Sequence, residues 1–153
     1  MYQISITGLD KMIAGANNFD NQAQVLLRWA MEQSLITVTN DAKANSPYKS
    51  GKLRRSIAPK FHNIMKGEVS THTPYAAYVE YGTRPHTITP RRAKVLAFKS
   101  GGSMVFAKKV NHPGFSGRFY MRRTAQQTAE KIKQIYEKTT DQLIKVFIGR
   151  WAY

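Results

Sequence analysis

Glu80 is where the sequence comes closest to catalytic chemistry. It is a lone carboxylate in Tyr75-Ala76-Ala77-Tyr78-Val79-Glu80-Tyr81-Gly82, a run that holds three tyrosines. Such a group could act as a general base. No second acid lies close in sequence, so a structural role is expected instead: an ion pair with Arg54 or Arg55, or capping of local backbone groups. The four histidines, His62, His72, His86 and His112, are spaced ten or more residues apart. Zinc sites usually use closer pairs together with cysteine or carboxylate, and the chain has no cysteine. Disulfides and thiolate metal sites are therefore excluded. Glu80, His86 and His112 could be drawn together as a nuclease centre, but metal nucleases need several carboxylates. No acid occurs between Glu80 and Glu130. Neither a phosphate-binding glycine loop nor a nucleophile elbow is present. The chain reads as non-enzymatic, without metal or cofactor.

The same acid-free interval holds Arg84, Arg91, Arg92, Lys94, Lys99, Lys108, Lys109, Arg118, Arg122 and Arg123. With a net charge of +15 over 153 residues, this clustering favours contact with a polyanion over a merely solvated face. Nucleic acid is the commonest such partner.

These residues must be positioned by one α+β domain spanning 1–153. Hydrophobic content of 42% is ordinary for a folded chain of this size. Tyr2, Ile4 and Ile6 alternate with polar residues, which predicts a half-buried strand ended by Gly8. Asn17, Asn18 and Asp20 are N-cap types, and a helix is expected from about Asp20 to Asn45. Its stripe is Ala23, Leu27, Ala30, Met31, Leu35, Val38 and Ala42, with Leu26 and Trp29 off the centre. Pro47 stops it. Leu53 to His62 reads as a strand and Ile64 to Thr71 as its partner. Arg84 to Pro90 reads as an extended connection. A β-hairpin insertion over about 91–110 turns at Ser100-Gly101-Gly102, with apolar residues on both faces. A ribbon of that kind needs cover on both sides. Asn111 to Arg118 reads as a loop. A second long helix is expected over about 120–147, with Gly149 just past its end and Trp151 in a tail. The sheet is expected to be mainly antiparallel. The N-terminus lacks the pattern of a signal peptide, and no window approaches a membrane span of about 20 apolar residues. A soluble protein with no membrane partner is the expectation.

Three motifs stand in order along this framework. Pro47-Tyr48-Lys49-Ser50-Gly51-Lys52-Leu53-Arg54-Arg55-Ser56-Ile57 follows the first helix, Tyr75–Thr83 comes next, and His112-Pro113-Gly114-Phe115 with Phe119-Tyr120-Met121 leads into the last helix. From about Ala44 to Thr124 this order resembles the neck and tail-completion proteins, or minor tail components, of long-tailed double-stranded DNA phages.

The resemblance implies a virion structural protein, made in the cytoplasm of the host bacterium and located in the neck or tail. It would form a homo-oligomeric ring, six- or twelve-fold, around the channel through which double-stranded DNA passes without sequence readout. It would complete the tail and join it to the head. Implied partners are a head-side connector or stopper and tail terminator or tail tube proteins. Arg91, Arg92, Lys94, Lys99, Lys108 and Lys109 would face DNA or acidic partners. Leu26, Trp29, Tyr75, Tyr78, Glu80, Gly82, Leu96, Phe98, Phe106 and Trp151 would serve subunit contacts or the structural motif. The alternative is a free basic nucleic-acid-binding module whose aromatics stack on bases, or, further off, the nuclease.

Overall fold

The structure, a computed structural model, describes residues 2–6 and 21–151. In chain order its elements are β1 (Tyr2–Ile6), α1 (Asn21–Asn45), α2 (Lys52–Ser56), β2 (Ile57–Asn63), β3 (Lys66–Thr71) and α3 (Ala76–Tyr81). Six short strands follow: β4 (Gly82–Thr83), β5 (His86–Ile88), β6 (Leu96–Ser100), β7 (Ser103–Ala107), β8 (Val110–His112) and β9 (Phe115–Ser116). The last element is α4 (Tyr120–Trp151). The fold is α+β with antiparallel sheets and two long helices, as the sequence indicates.

Helix α1 buries the positions its periodicity selects, from Ala23 through Leu27, Met31, Leu35 and Val38 to Ala42. It ends before Pro47, where Ser46 donates its backbone N–H to Ala42 O and its hydroxyl to Lys43 O. The caps expected at Asn17, Asn18 and Asp20 lie outside the described residues. Strands β1, β3 and β2 form one antiparallel sheet in that order. β2 is an edge strand, which is why it tolerates Pro59. The sheet lies against α1, and Gly67 in the central strand leaves room for the Leu35 side chain.

One core gathers Met31, Leu35, Val38 and Ala42 of α1 with Leu53, Ile57, Val69, Ala76, Tyr120 and Met121. A smaller cluster of Ala23, Leu27 and Leu143 closes the other end of the helix pair. Between the two helices, α4 presents buried Thr124, Thr128 and Thr139. Each threonine hydroxyl donates to the carbonyl one turn back, so a polar contact face stays satisfied. Asn45 bonds Thr124 and Gln127, and Lys131 pairs with Asp41 at 2.7 Å, tying the helices together.

Four local readings need correction. The strand expected from Leu53 begins only at Ile57, because Gly51, at φ 72°, lets Lys52–Ser56 close a short helix first. Its partner β3 begins at Lys66 and not at Ile64, because Ile64 and Met65 form the turn, where the Met65 N–H donates to Asn63 Oδ1. The connection from Arg84 and the loop from Asn111 are paired strands, β5 with β8 and β4 with β9. Finally α4 passes through Gly149 to Trp151, so Trp151 ends a helix and is not in a tail. The Trp151 side chain lies outside the described part.

Candidate functional site

Gly82 to Gly117 form one long two-stranded arm. β4 pairs with β9, β5 with β8, and β6 with β7, three successive two-stranded antiparallel sheets, with a bent stretch at 89–95 before the last. At the tip Gly101 and Gly102 both have positive φ, the two-residue turn whose twist suits a hairpin. Partway down, His86 stacks on His112 at 5.1 Å between ring centroids. The His112 Nδ1 accepts the Gly114 N–H, and Thr87 donates to Asn111. From Tyr81 to Phe119 not one residue is buried. The shorter leg, 103–117, at about 3.3 Å per residue sets an upper reach of roughly 50 Å.

The root of the arm is built on Glu80, which is only 2% exposed. Its Oε2 accepts the backbone N–H of Met121 at 2.9 Å, and its Oε1 that of Arg122 at 3.0 Å. These are free donors of the first turn of α4. The natural cap position is Phe119, at φ 49°, whose side chain has no oxygen. Glu80 supplies the cap from across the fold and places a negative charge at the positive end of a 32-residue helix. Its carbonyl accepts the Phe119 N–H, and the Val79 carbonyl accepts the Arg118 N–H. Both legs of the arm are thereby pinned at one residue. Gly82, at φ 80°, and Gly117 let the legs approach: a Cβ on Gly82 would meet Phe115 O, and one on Gly117 would meet Glu80 O.

The expected ion pair of Glu80 with Arg54 or Arg55 is therefore not formed. Both carboxylate oxygens are occupied by backbone donors. Arg54 lies over the Tyr48 ring at 5.3 Å and reaches the Ser46 carbonyl, while Arg55 reaches the Ser50 carbonyl. Those arginines brace the Pro47–Ile57 turn. That turn and Tyr75 with Val79 line an open cavity of about 450 Å³. Tyr78 instead lines a second one, about 700 Å³, at the arm root with Arg84, His86 and His112.

Arg91, Arg92, Lys94, Lys99, Lys108 and Lys109 are all exposed on the arm, and none has an ion-pair partner among the described residues. Arg84, near the root, belongs with them. Leu96 is half-buried, whereas Phe98 and Phe106 are exposed. On α1 Trp29 faces outward, while Leu26 is half-buried and packs against the smaller core cluster. Met104 lies exposed beside Phe106, and sequence reasoning missed Val25 and Ile36 beside Trp29. The helical spacing of the last three was the available signal. No group of three or more metal-ligating side chains comes together among the described residues.

Tyr120, buried beside Glu80, leads to a pH prediction. Burial first, then the charge of Glu80 and Tyr75, push its hydroxyl up to about 12. The folded value lies above the unfolded one of about 10, so this stabilisation is complete below pH 10 and is lost as pH rises through 12. The hydroxyl has no hydrogen-bond partner among the described residues. Tyr120→Phe should stay within about 1 kcal/mol of the parent at neutral pH and lose less stability between pH 10 and 12, as read by urea denaturation at each pH.

These features define a class: a small α+β body whose two long helices and central motif support a projecting cationic ribbon. Residues 10–82, just under half the chain, are similar to the family described as "HK97-gp10_like: Bacteriophage HK97-gp10, putative tail-component". This agrees with a neck or tail-completion family of tailed phages. The matched stretch takes in α1, the Pro47–Ile57 turn and the Tyr75–Gly82 segment, and it stops where the arm begins. No curated protein and no solved structure matches significantly.

Proposed function

We propose that this chain is a structural protein of a phage tail, acting at the neck, where copies form a closed ring around the DNA channel, complete the tail and join it to the head connector. The observation that carries the reading is the arm. A ribbon that is apolar on both faces, buried nowhere and free of acid is incomplete in a single copy. Neighbouring subunits would cover its apolar faces. A ring would also multiply its seven Lys and Arg into a focused potential suited to phosphates. The similarity to a phage tail component supports virion proteins as partners. No helix among the described residues is long and apolar enough to cross a membrane. The ring is six- or twelve-fold on this reading, and DNA contact is without base readout. Withholding the chain from an infection should leave filled heads and full-length tails unjoined. Normal yields of joined virions would contradict the proposal.

A second reading, a free nucleic-acid-binding module, draws on exposed Phe98, Phe106 and Phe115 along the cationic ribbon. It requires tight single-strand binding by the isolated monomer, which the neck reading does not.

A further inference from the structure

Helix α1 carries a second apolar stripe on the side away from its core face. Val25, Trp29 and Ile36 are 65%, 46% and 48% exposed. Steps of four and seven place them within about 40° of one another around the helix axis. Glu32 borders this stripe, about 20° beyond Val25 around the axis and between Trp29 and Ile36 along it. The arm tip offers a surface of matching kind. Ala97 stands opposite Phe106 and Lys99 opposite Met104, so these four side chains share one face of the ribbon. Phe106 is 66% and Met104 52% exposed.

We infer that this face of the arm tip docks on the outward α1 stripe of an adjacent copy of the chain. The inference rests on the ring reading and names its contact. The lengths agree: Val25 to Ile36 spans about 16 Å of helix, and a five-residue strand spans about 17 Å. The chemistry agrees, since each apolar stripe has one charge set in or beside it. Lys99 on the arm would meet Glu32 on the helix, whose side chain is 45% exposed. The background charge agrees too. From Asn21 to Asn40 the ionised residues are Arg28 and Glu32, already paired at 2.9 Å, so this face is near neutral on a chain of net +15. A cationic arm meets less repulsion here than on its own kind. The two patches differ, so the contact is head-to-tail and closes into a ring when the rotation per copy divides a full turn.

The chain has no cysteine, so introduced thiols report single positions. Phe106→Cys and Trp29→Cys chains are co-assembled into particles and oxidised. A dimer-sized species is expected only when both variants are present, and a ladder when one chain carries both substitutions. A thiol at 106 that joins Ile144→Cys on α4 and not position 29, or that joins no other copy, in particles whose neck ring is intact by imaging, overturns the inference and leaves the ring reading standing. Particles with no ring overturn both. As an independent measure, Glu32→Lys or Lys99→Glu alone should lower the yield of joined particles about tenfold, and the two together should restore it. Equal losses in the single and double variants would count against the contact.

Discussion

Replacing Glu80 by alanine is expected to destabilise the chain by about 3–5 kcal/mol, the largest effect of any single side chain in the motif. The buried N–H of Met121 and the part-buried N–H of Arg122 lose their acceptor, and an unsatisfied buried donor costs about 1–3 kcal/mol. The helix also loses its cap and the charge at its N-terminus. For a chain of this size the loss corresponds to roughly 6–20 °C in Tm. Glu80→Gln keeps the shape and one acceptor oxygen but turns an amide group toward a backbone donor, so about 2–3 kcal/mol is expected. Urea denaturation of both variants, with an unchanged m value, checks this. The arm should loosen before the body, because both legs are pinned at Glu80. Amide exchange would show the strands from Gly82 to Gly117 losing protection first. A Glu80→Gln chain of full stability that had lost a metal-dependent nuclease activity would support the general-base role instead.

What could be read from the residues follows from where burial leaves a period. Helices α1 and α4 each bury one stripe, so steps of three and four located both to within a few residues. The hairpin tip was legible from Gly101-Gly102. Helix α2 was not: five residues are too few to separate a helical step from alternation between Leu53 and Ile57. β4, β5, β8 and β9 are two or three residues long and bury nothing fully, so they carry no period, and the arm looked like a short hairpin between loops. The Glu80 contact was partly legible. A structural carboxylate was expected, but its partners are backbone N–H groups 41 and 42 residues away, and backbone donors have no sequence signature. An arginine was the partner a sequence could name.

The second large effect lies in the arm. A chain in which Arg91, Arg92, Lys108 and Lys109 are replaced by Ser should fold normally, since all four side chains are exposed and none supports the core. Its binding to duplex DNA should collapse. If about five cations of the parent engage phosphates, the log–log salt slope is about −4.5 per bound subunit, a loss of about 500-fold between 50 and 200 mM salt. With four removed, the slope should fall to about −0.9 and the loss to about 3.5-fold. In particles, contact with DNA predicts joined virions that hold or eject their genome poorly. Contact with acidic neighbouring proteins predicts tails that fail to join heads. Normal joining, retention and infectivity together would leave the cations as a solvated face.

The central claim, that the chain works as a ring whose arms reach across subunits, is tested most directly by a reconstruction of the neck in purified particles. The expected result is a closed ring of six or twelve copies at the head–tail junction, with each arm seated on its neighbour and its cationic residues other than Lys99 toward the channel. Isolated copies without rotational symmetry, or arms free of any neighbouring subunit, would contradict it.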